Sequence, residues 1–530
     1  MHHYMPEIYW HDKQGLLSID VQSRLSELSN SQANKFTGCG PYKLATASIS
    51  VEKEVRIWEF RFEPAKGSHI FSLSVDFLAN VSGHNATINV VRFSPNGELM
   101  ASGDSDGLLF IWKYDGRKEE PTCPPLEGDD LPPNKESWSK MFRTPFRHDS
   151  DVTGLCWSPN SEQIAVVSND DSISMYDLTN GKKMWMNKTF RHFPNGVVWD
   201  PRGKYIVTLS TDRRMDILDA VKGTRLRSCH SIDFPATEIG GILLPANNYK
   251  LFIDDQFVSF VRSPDFSPCG ELLFVPCAHL AASHKNVYGT YIFKRSDFDR
   301  CRPSGFLPSN KATKMVKCSP ILYELKDTKE NYLALPYRVV FAVLTKYSVS
   351  IYDSQHHRPF AFIDNLQYED LTCIAWTPDG KGLVISSLEG FNTFITVDPA
   401  ELGRSIEPVV KVDSSPKLTA PKKPKKVVEK VEKEAENSPK VVITPKASKK
   451  KDKDEQTPTM TPTRVNTPNV SLYRFFTPKT DQKRPETESS SKENESGTPS
   501  KENESGTTPK AETSAKESKP KKRVQLVQLD

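Results

Sequence analysis

Three sets of residues carry types that can do chemistry. His84, Ser102 and Asp106 supply the imidazole, hydroxyl and carboxylate of a hydrolase triad, in which the acid orients the imidazole and the imidazole takes the hydroxyl proton. Asp254 and Asp255 are an adjacent carboxylate pair of the kind that contributes to a divalent-cation site or meets a basic partner. Lys521, Lys522 and Arg523 precede Val524 and Leu526, a basic run joined to an alternating apolar pair, which suits a strand added to a partner's sheet edge. The first set is not read as catalytic. The same residue types recur in successive segments at one spacing, as buried structural polar groups do. Nothing near Asp254 and Asp255 supplies the remaining ligands of a metal. The chain has no P-loop, no G-x-G-x-x-G after a strand, no HExxH and no G-x-S-x-G. The sequence therefore predicts a non-enzymatic protein without cofactor or metal.

The elements that position these residues are short strands. His84, His148 and His192 each open a segment with one plan: an apolar strand ending in an aromatic, a Ser-Pro or Asp-Pro turn, a second apolar strand, an Asp-containing turn and a last strand. Their spacing of about 40–60 residues is that of four-stranded propeller blades. Seven such units can be counted in residues 1–404, which predicts an all-β fold, a seven-bladed WD40 β-propeller closed on itself so that no edge is left open. His84, Ser102, Asp106 and Trp112 are the expected hydrogen-bonded tetrad of the second blade. Asp170 before Tyr176 and Asp212 before Leu218 keep the spacing but lose the Trp.

Residues 115–146 form an insertion, acidic at first, rich in Pro, with Trp138 isolated near its end. Two readings apply: a surface loop whose Trp packs back on the rim, or a partner-binding loop with Trp138 as an exposed anchor.

Composition changes near residue 404. The whole chain has 530 residues, 37% hydrophobic, with 39 Pro and a net charge of +4. The first part carries roughly −4 and residues 405–530 roughly +8. The second part, a Lys/Ser/Thr/Pro-rich tail, cannot bury enough surface to offset its ordering entropy and is predicted to be disordered. It repeats Ser-Lys-Glu-Asn-Glu-Ser-Gly-Thr from 491 and again from 500, as spacer sequence does. The nine Cys show no CxxC pair and no zinc spacing, which predicts reduced, buried thiols and an intracellular setting. The longest apolar runs, such as 339–344, are too short to span a bilayer.

Several stretches outside the repeat pattern are specific. "EIYWHDKQGLLSIDVQ", "NVVRFSPNGELMASGDSDGLLFIWK", "NKESWSK", "VVWDPRGKYIVTLSTDR", "LFIDDQFVSFVRSPDFSPCGELL" and "LPYRVVFAV" together resemble the WD40-bearing middle subunits of chromatin assembly factor 1. The likeness covers nearly all of residues 1–404, and Hir/HIRA histone chaperones share the architecture. It implies a nuclear, non-catalytic scaffold in a complex with a large and a small subunit that deposits histones H3–H4 on DNA during replication. A HIRA-type chaperone independent of replication and a generic WD40 adaptor, such as a ubiquitin-ligase substrate receptor, are the alternatives.

Within that resemblance the tail motifs acquire partners. Lys521, Lys522, Arg523, Val524 and Leu526 resemble the B-domain-type peptide by which these families bind the anti-silencing-function histone chaperone. The other reading of the same basic run is a nuclear-import signal. Asn469, Leu472, Phe475 and Phe476 resemble a docking peptide for the replication sliding clamp, with Asn469 where Gln is usual. Ser415, Ser438, Thr444, Thr477 and Thr508 each precede Pro-Lys and suit proline-directed kinases; phosphate on Thr477 would put charge beside the apolar plug. The Lys runs at 422–426 and 449–453 allow at most weak, salt-dependent contact with DNA.

Overall fold

Val, Ile, Leu and aromatic residues alternate with small polar ones in runs of five to ten, bounded by Gly, Pro, Asn and Asp, and each run is a strand. The computed structural model describes residues 1–406 except Tyr9, 24–38, 65–70, 118–131, 240–241, 255–256, 258, 260 and 282–285, together with 526–527. Its strands form seven antiparallel blades, as the repeat count predicts.

Blade 1 comprises Leu16–Val21, Cys39–Ser48, Val55–Pro64 and Phe71–Val81. Blade 2 comprises Ile88–Phe93, Leu99–Asp104 and Leu108–Arg117, with Glu136–Lys140 and Phe146–Arg147 both on its outer edge. Blade 3 runs Val152–Trp157, Gln163–Ser168, Ser172–Asp177 and Lys182–Asn187; blade 4 runs Pro194–Trp199, Tyr205–Ser210, Arg214–Asp219 and Arg225–Cys229. Blade 5 is Asp265–Phe266, Leu272–Ala281, Asn286–Lys294 and Gly305–Ser309, and blade 6 is Met315–Tyr323, Arg338–Leu344, Val349–Asp353 and Ala361–Ile363. Blade 7 takes Leu371–Trp376, Gly382–Ser387 and Asn392–Thr396, and its outer strand is His2–Tyr4 from the opposite end of the sequence, with His3 opposite Ile395.

The Ser-Pro, Asp-Pro and Thr-Pro turns have one physical job. The side-chain oxygen accepts the N–H that opens the second strand: Leu99 to Ser94 Oγ at 3.0 Å, Gln163 to Ser158 Oγ at 2.9 Å, Leu272 to Ser267 Oγ at 3.0 Å and Gly382 to Thr377 Oγ1 at 2.9 Å. In blade 4 the turn residue is Asp200. Its carboxylate accepts two bonds from Arg295 at 2.7 and 2.8 Å and so ties blade 4 to blade 5. Apolar side chains on facing sheets fill the space between blades, as Leu155, Trp157 and Tyr176 do with Val90, Ala101 and Ile111.

Two features depart from the sequence reading. Between blades 4 and 5 the chain makes a long hairpin, Ser231–Phe234 on Asn247–Lys250 and Thr237–Ile239 on Ile242–Leu244. Its base packs through Leu244 and Tyr249 against Leu280 and Val287 of blade 5, while Leu243 near its tip is exposed. The Gly-Gly pair at 240–241 between two apolar runs was the available signal. The expectation of reduced thiols is also corrected at one pair: Cys229 at the end of blade 4 and Cys301, between the third and fourth strands of blade 5, form a disulfide (Cα–Cα 5.2 Å). Cys156, Cys269, Cys277, Cys318 and Cys373 are free, and burial pushes the Cys277 thiol up to about 11.

Among the described residues no helix is long and apolar enough to cross a membrane. The tail predicted to be disordered lies, beyond Ile406 and apart from Leu526–Val527, outside the described residues.

Candidate functional site

The polar residues that resembled a triad are a structural network. Trp112 Nε1 donates to Ser102 Oγ at 2.8 Å, and the hydroxyl meets His84 Nε2 at 2.6 Å. His84 Nδ1 then lies 2.7 Å from a carboxylate, but that carboxylate belongs to Asp104, not to Asp106. Six-residue spacing from Trp112 pointed to Asp106; the register explains the difference. Asp104 is two residues beyond Ser102 on the same strand, so both side chains share one face and reach the same imidazole. Asp106 has already entered the turn and is exposed; its N–H donates to Asp104 Oδ1 at 3.0 Å, as does Leu108's at 2.8 Å. Asp104→Ala is therefore expected to cost about 3 kcal/mol in urea unfolding, because it strips three bonds from a buried site. Asp106→Ala should stay within about 0.5 kcal/mol.

Blade 1 holds a second network that the sequence reading missed. Trp58 Nε1 donates to Thr46 Oγ1 at 3.1 Å, and Thr46 Oγ1 meets His11 Nε2 at 2.9 Å. The serine in the position of Asp104, Ser48, does not reach the imidazole, whose Nδ1 is left without a partner. Burial first, and the nearby Arg56 guanidinium second, push His11 down from 6.5 to about 3. Between those values the unfolded chain binds the proton and the folded chain does not, so stability falls as pH drops below 6.5. From pH 7.5 to 5.5 His11 is expected to remove about 1.4 kcal/mol, and His11→Gln should abolish that part of the loss in urea unfolding at the two pH values. In blade 3 Tyr176 replaces the Trp and its hydroxyl lies 3.2 Å from His148 Nε2, with Asp170 at 3.7 Å from Nδ1. Blade 4 has no such network: His192 is exposed and Asp212 instead pairs with Arg214 at 3.3 Å.

The insertion does not present a free aromatic. Glu136–Lys140 is a strand of blade 2, and Trp138 is half-buried, 5.3 Å from the Tyr114 ring and 6.0 Å from that of Phe93. The preceding residues staple the strand to blade 1: Asn134 Oδ1 accepts from Asn80 N at 2.8 Å, Lys135 N donates to Leu78 O at 2.7 Å, and buried Glu136 pairs with buried Lys43 at 2.7 Å. The "NKESWSK" signature is thus an inter-blade clamp, and Trp138 as an exposed partner anchor is corrected. Its packing follows from the register, which places it opposite Tyr114.

The first strands of the blades line a central cavity of about 360 Å³. Two acids and two bases close it. Asp20 accepts from Phe93 N at 2.8 Å, Asp265 accepts from Cys318 N at 2.8 Å with Lys317 Nζ 3.8 Å away, and Arg92 donates to Ser18 Oγ at 2.9 Å and Ile19 O at 3.0 Å. Burial raises the Asp20 and Asp265 carboxyls, while Arg92 and Lys317 oppose the shift. The four charges balance, an arrangement that holds strands together at the cavity.

Asp254 is half-buried beside His192, Arg213 and Lys250; Asp255 lies outside the described residues. Among the described residues no group of His, Cys, Asp or Glu is placed to hold a metal. Of the tail motifs, Asn469, Leu472, Phe475, Phe476, the five Ser/Thr-Pro-Lys sites and Lys521 to Val524 lie outside the described residues. Leu526 is described: Leu526–Val527 pairs antiparallel with the outer strand of blade 6, Leu526 opposite Ile363 and Val527 opposite Phe362.

Residues 1–402, which span the seven blades, match the family model described as the CAF1B/HIR1 beta-propeller domain. The chain belongs to that family. This CAF1B/HIR1-type chain is 30% identical over 434 residues to the B subunit of chromatin assembly factor 1 from Gallus gallus, covering 79% of this chain and 72% of the relative. It is 31% identical over 412 residues to the Mus musculus protein of the same name, covering 75% and 67%. Protein HIR1 of Eremothecium gossypii is more distant, at 26% over 353 residues, covering 62% of this chain and 40% of the relative. The stretches "NKESWSK" and "LPYRVVFAV" that carried the resemblance turn out to clamp blade 2 and to form the second strand of blade 6.

Proposed function

We propose that this chain is the scaffold subunit of a nuclear histone chaperone complex of the chromatin assembly factor 1 type, acting in replication-coupled deposition of H3–H4 onto DNA. The observation that carries the reading is the similarity of the whole propeller to proteins named as the B subunit of chromatin assembly factor 1. In this reading the rigid ring binds the large and small subunits, and peptide beyond it recruits transient partners. Arg523 pairs with acids on the anti-silencing-function chaperone while Val524 and Leu526 enter its apolar pocket along an added strand. That Leu526–Val527 takes strand pairing within the chain supports a strand-adding role. Asn469, Leu472, Phe475 and Phe476 are assigned to the sliding clamp. Contact of the Lys runs with DNA is weak and non-specific.

Reconstitution separates these parts. Deleting residues 515–530 should weaken binding of the anti-silencing chaperone by at least about tenfold and leave capture of the large assembly-factor subunit unchanged, measured by co-purification and calorimetry. Unaltered chaperone binding would sink the motif assignment. Failure to capture the large subunit would sink the family function. The second reading, a HIR-type chaperone, rests on the more distant HIR1 similarity and is told apart by which large subunit the chain captures.

A further inference from the structure

A cavity of about 310 Å³ opens where blade 4 meets the 231–250 hairpin. Four separated stretches bring cations to it: Arg191 and His192 lead into blade 4, Arg213 and Arg214 sit where the turn enters its third strand, and His230 and Lys250 flank the hairpin base from either side. Arg213 adopts a left-handed backbone (φ 67°), and its Nε donates to Phe252 O at 2.7 Å, which fixes the guanidinium at the cavity wall. Arg214 is engaged by Asp212. Arg191, His192, His230 and Lys250 are exposed, and among the described residues they have neither an ion pair nor a side-chain hydrogen bond.

The fold gains nothing from this convergence, because like charges held together without partners repel. An anion relieves it. The site is a bounded cavity of about 310 Å³ lined by these cations. That favours a single doubly charged group over the backbone of a nucleic acid duplex, which needs an extended basic stripe. The Asp254 carboxylate on one wall makes no hydrogen bond or ion pair among the described residues and leaves a place for a cation beside the anion. The same chain supplies a ligand of that shape five times: Ser415, Ser438, Thr444, Thr477 and Thr508 each precede Pro-Lys. Once phosphorylated, each presents a dianion, a stiff one-residue spacer and an ammonium group.

We propose that this cavity binds a phosphorylated Ser/Thr-Pro-Lys segment of the chain's own tail, with the phosphoryl group on Arg191, Arg213, His230 and Lys250 and the following lysine on Asp254. The phosphorylated tail then folds back on the propeller, and a phosphatase releases it. The proposal does not depend on which complex the chain serves.

The test uses the full-length unphosphorylated protein and a fluorescent peptide of residues 438–450 carrying phosphate on Thr444, read by anisotropy. The phosphopeptide should bind at least about tenfold more tightly than the plain peptide. Arg191→Glu with Lys250→Glu should remove that difference without changing the melting temperature. A peptide with Lys446→Glu should bind more weakly, and Asp254→Lys in the protein should restore it. Equal binding of the two peptides overturns the proposal, as does unchanged phosphopeptide binding by the doubly substituted, folded protein. A short DNA duplex that binds the cavity more tightly than the phosphopeptide, and loses binding in the same variant, overturns it in favour of a nucleic acid site.

Discussion

Arg338→Met is expected to lose about 3–5 kcal/mol of unfolding free energy, one of the two largest single-residue effects we anticipate in this chain. Arg338 is completely buried in the second strand of blade 6. Its Nη1 donates to Asp353 Oδ2 at 2.9 Å, its Nε to Glu324 O at 3.1 Å, and its Nη2 to Glu401 O at 3.3 Å and also to Leu402 O. The guanidinium thereby holds the strand, the segment leaving blade 6's first strand and the end of the short helix Pro399–Leu402. Removing it leaves Asp353, itself buried, with the N–H groups of Gln355 and His356 and the His356 imidazole but without the guanidinium, and it strands three carbonyl oxygens. Lysine keeps the charge but lacks the planar fork, so Arg338→Lys should recover less than half of the loss. Urea unfolding followed by tryptophan fluorescence measures both. A cost below about 1 kcal/mol for Arg338→Met would mean that the pair is not buried as described.

Lys43→Met is the second, at about 3–5 kcal/mol. Lys43 crosses from blade 1 to Glu136 on the outer edge of blade 2, and both side chains are almost wholly shielded from water. The ammonium also sits 4.3 Å from the centre of the Tyr114 ring, a contact that adds attraction in a dry setting. The substitution leaves a buried carboxylate whose nearest other cation is Arg117 at 3.9 Å. Glu136→Gln, added to Lys43→Met, removes the stranded charge and should restore at least half of the stability. If the double substitution is as unstable as the sum of the single ones, charge is not the cause and the pair acts through packing alone. The effect is local to the junction of blades 1 and 2, so proteolysis near residues 118–135 is expected to rise in the single variant and fall back in the double one.

The blades were readable because the code for them is short-range. Strand period, the Ser-Pro turn and the His at the head of each segment repeat about every 40–60 residues, and the side chains that define them act on backbone a few positions away. What the sequence hid was set by register and by distance. Asp104 displaced Asp106 because strand facing, not spacing from Trp112, decides which acid meets His84. Trp138 left packing and exposure both open, and the sequence could not decide between them because its neighbours Phe93 and Tyr114 belong to other strands. The basic cavity draws on residues 191, 213, 230 and 250, too far apart for any local pattern to join them. The hairpin at 231–250 had a legible turn, but its flanking strands are only three or four residues long.

The outer strand of blade 7 imposes an order on biosynthesis. His2–Tyr4 leaves the ribosome nearly four hundred residues ahead of its partner, Asn392–Thr396. At translation rates of about 5–20 residues per second that is a delay of roughly 20–80 s. Throughout it the nascent ring is an open arc with its leading strand unpaired, exposed to pairing with neighbouring polypeptides on the same message. The ring therefore closes only after residues 392–396 have been synthesised, however early the other blades form.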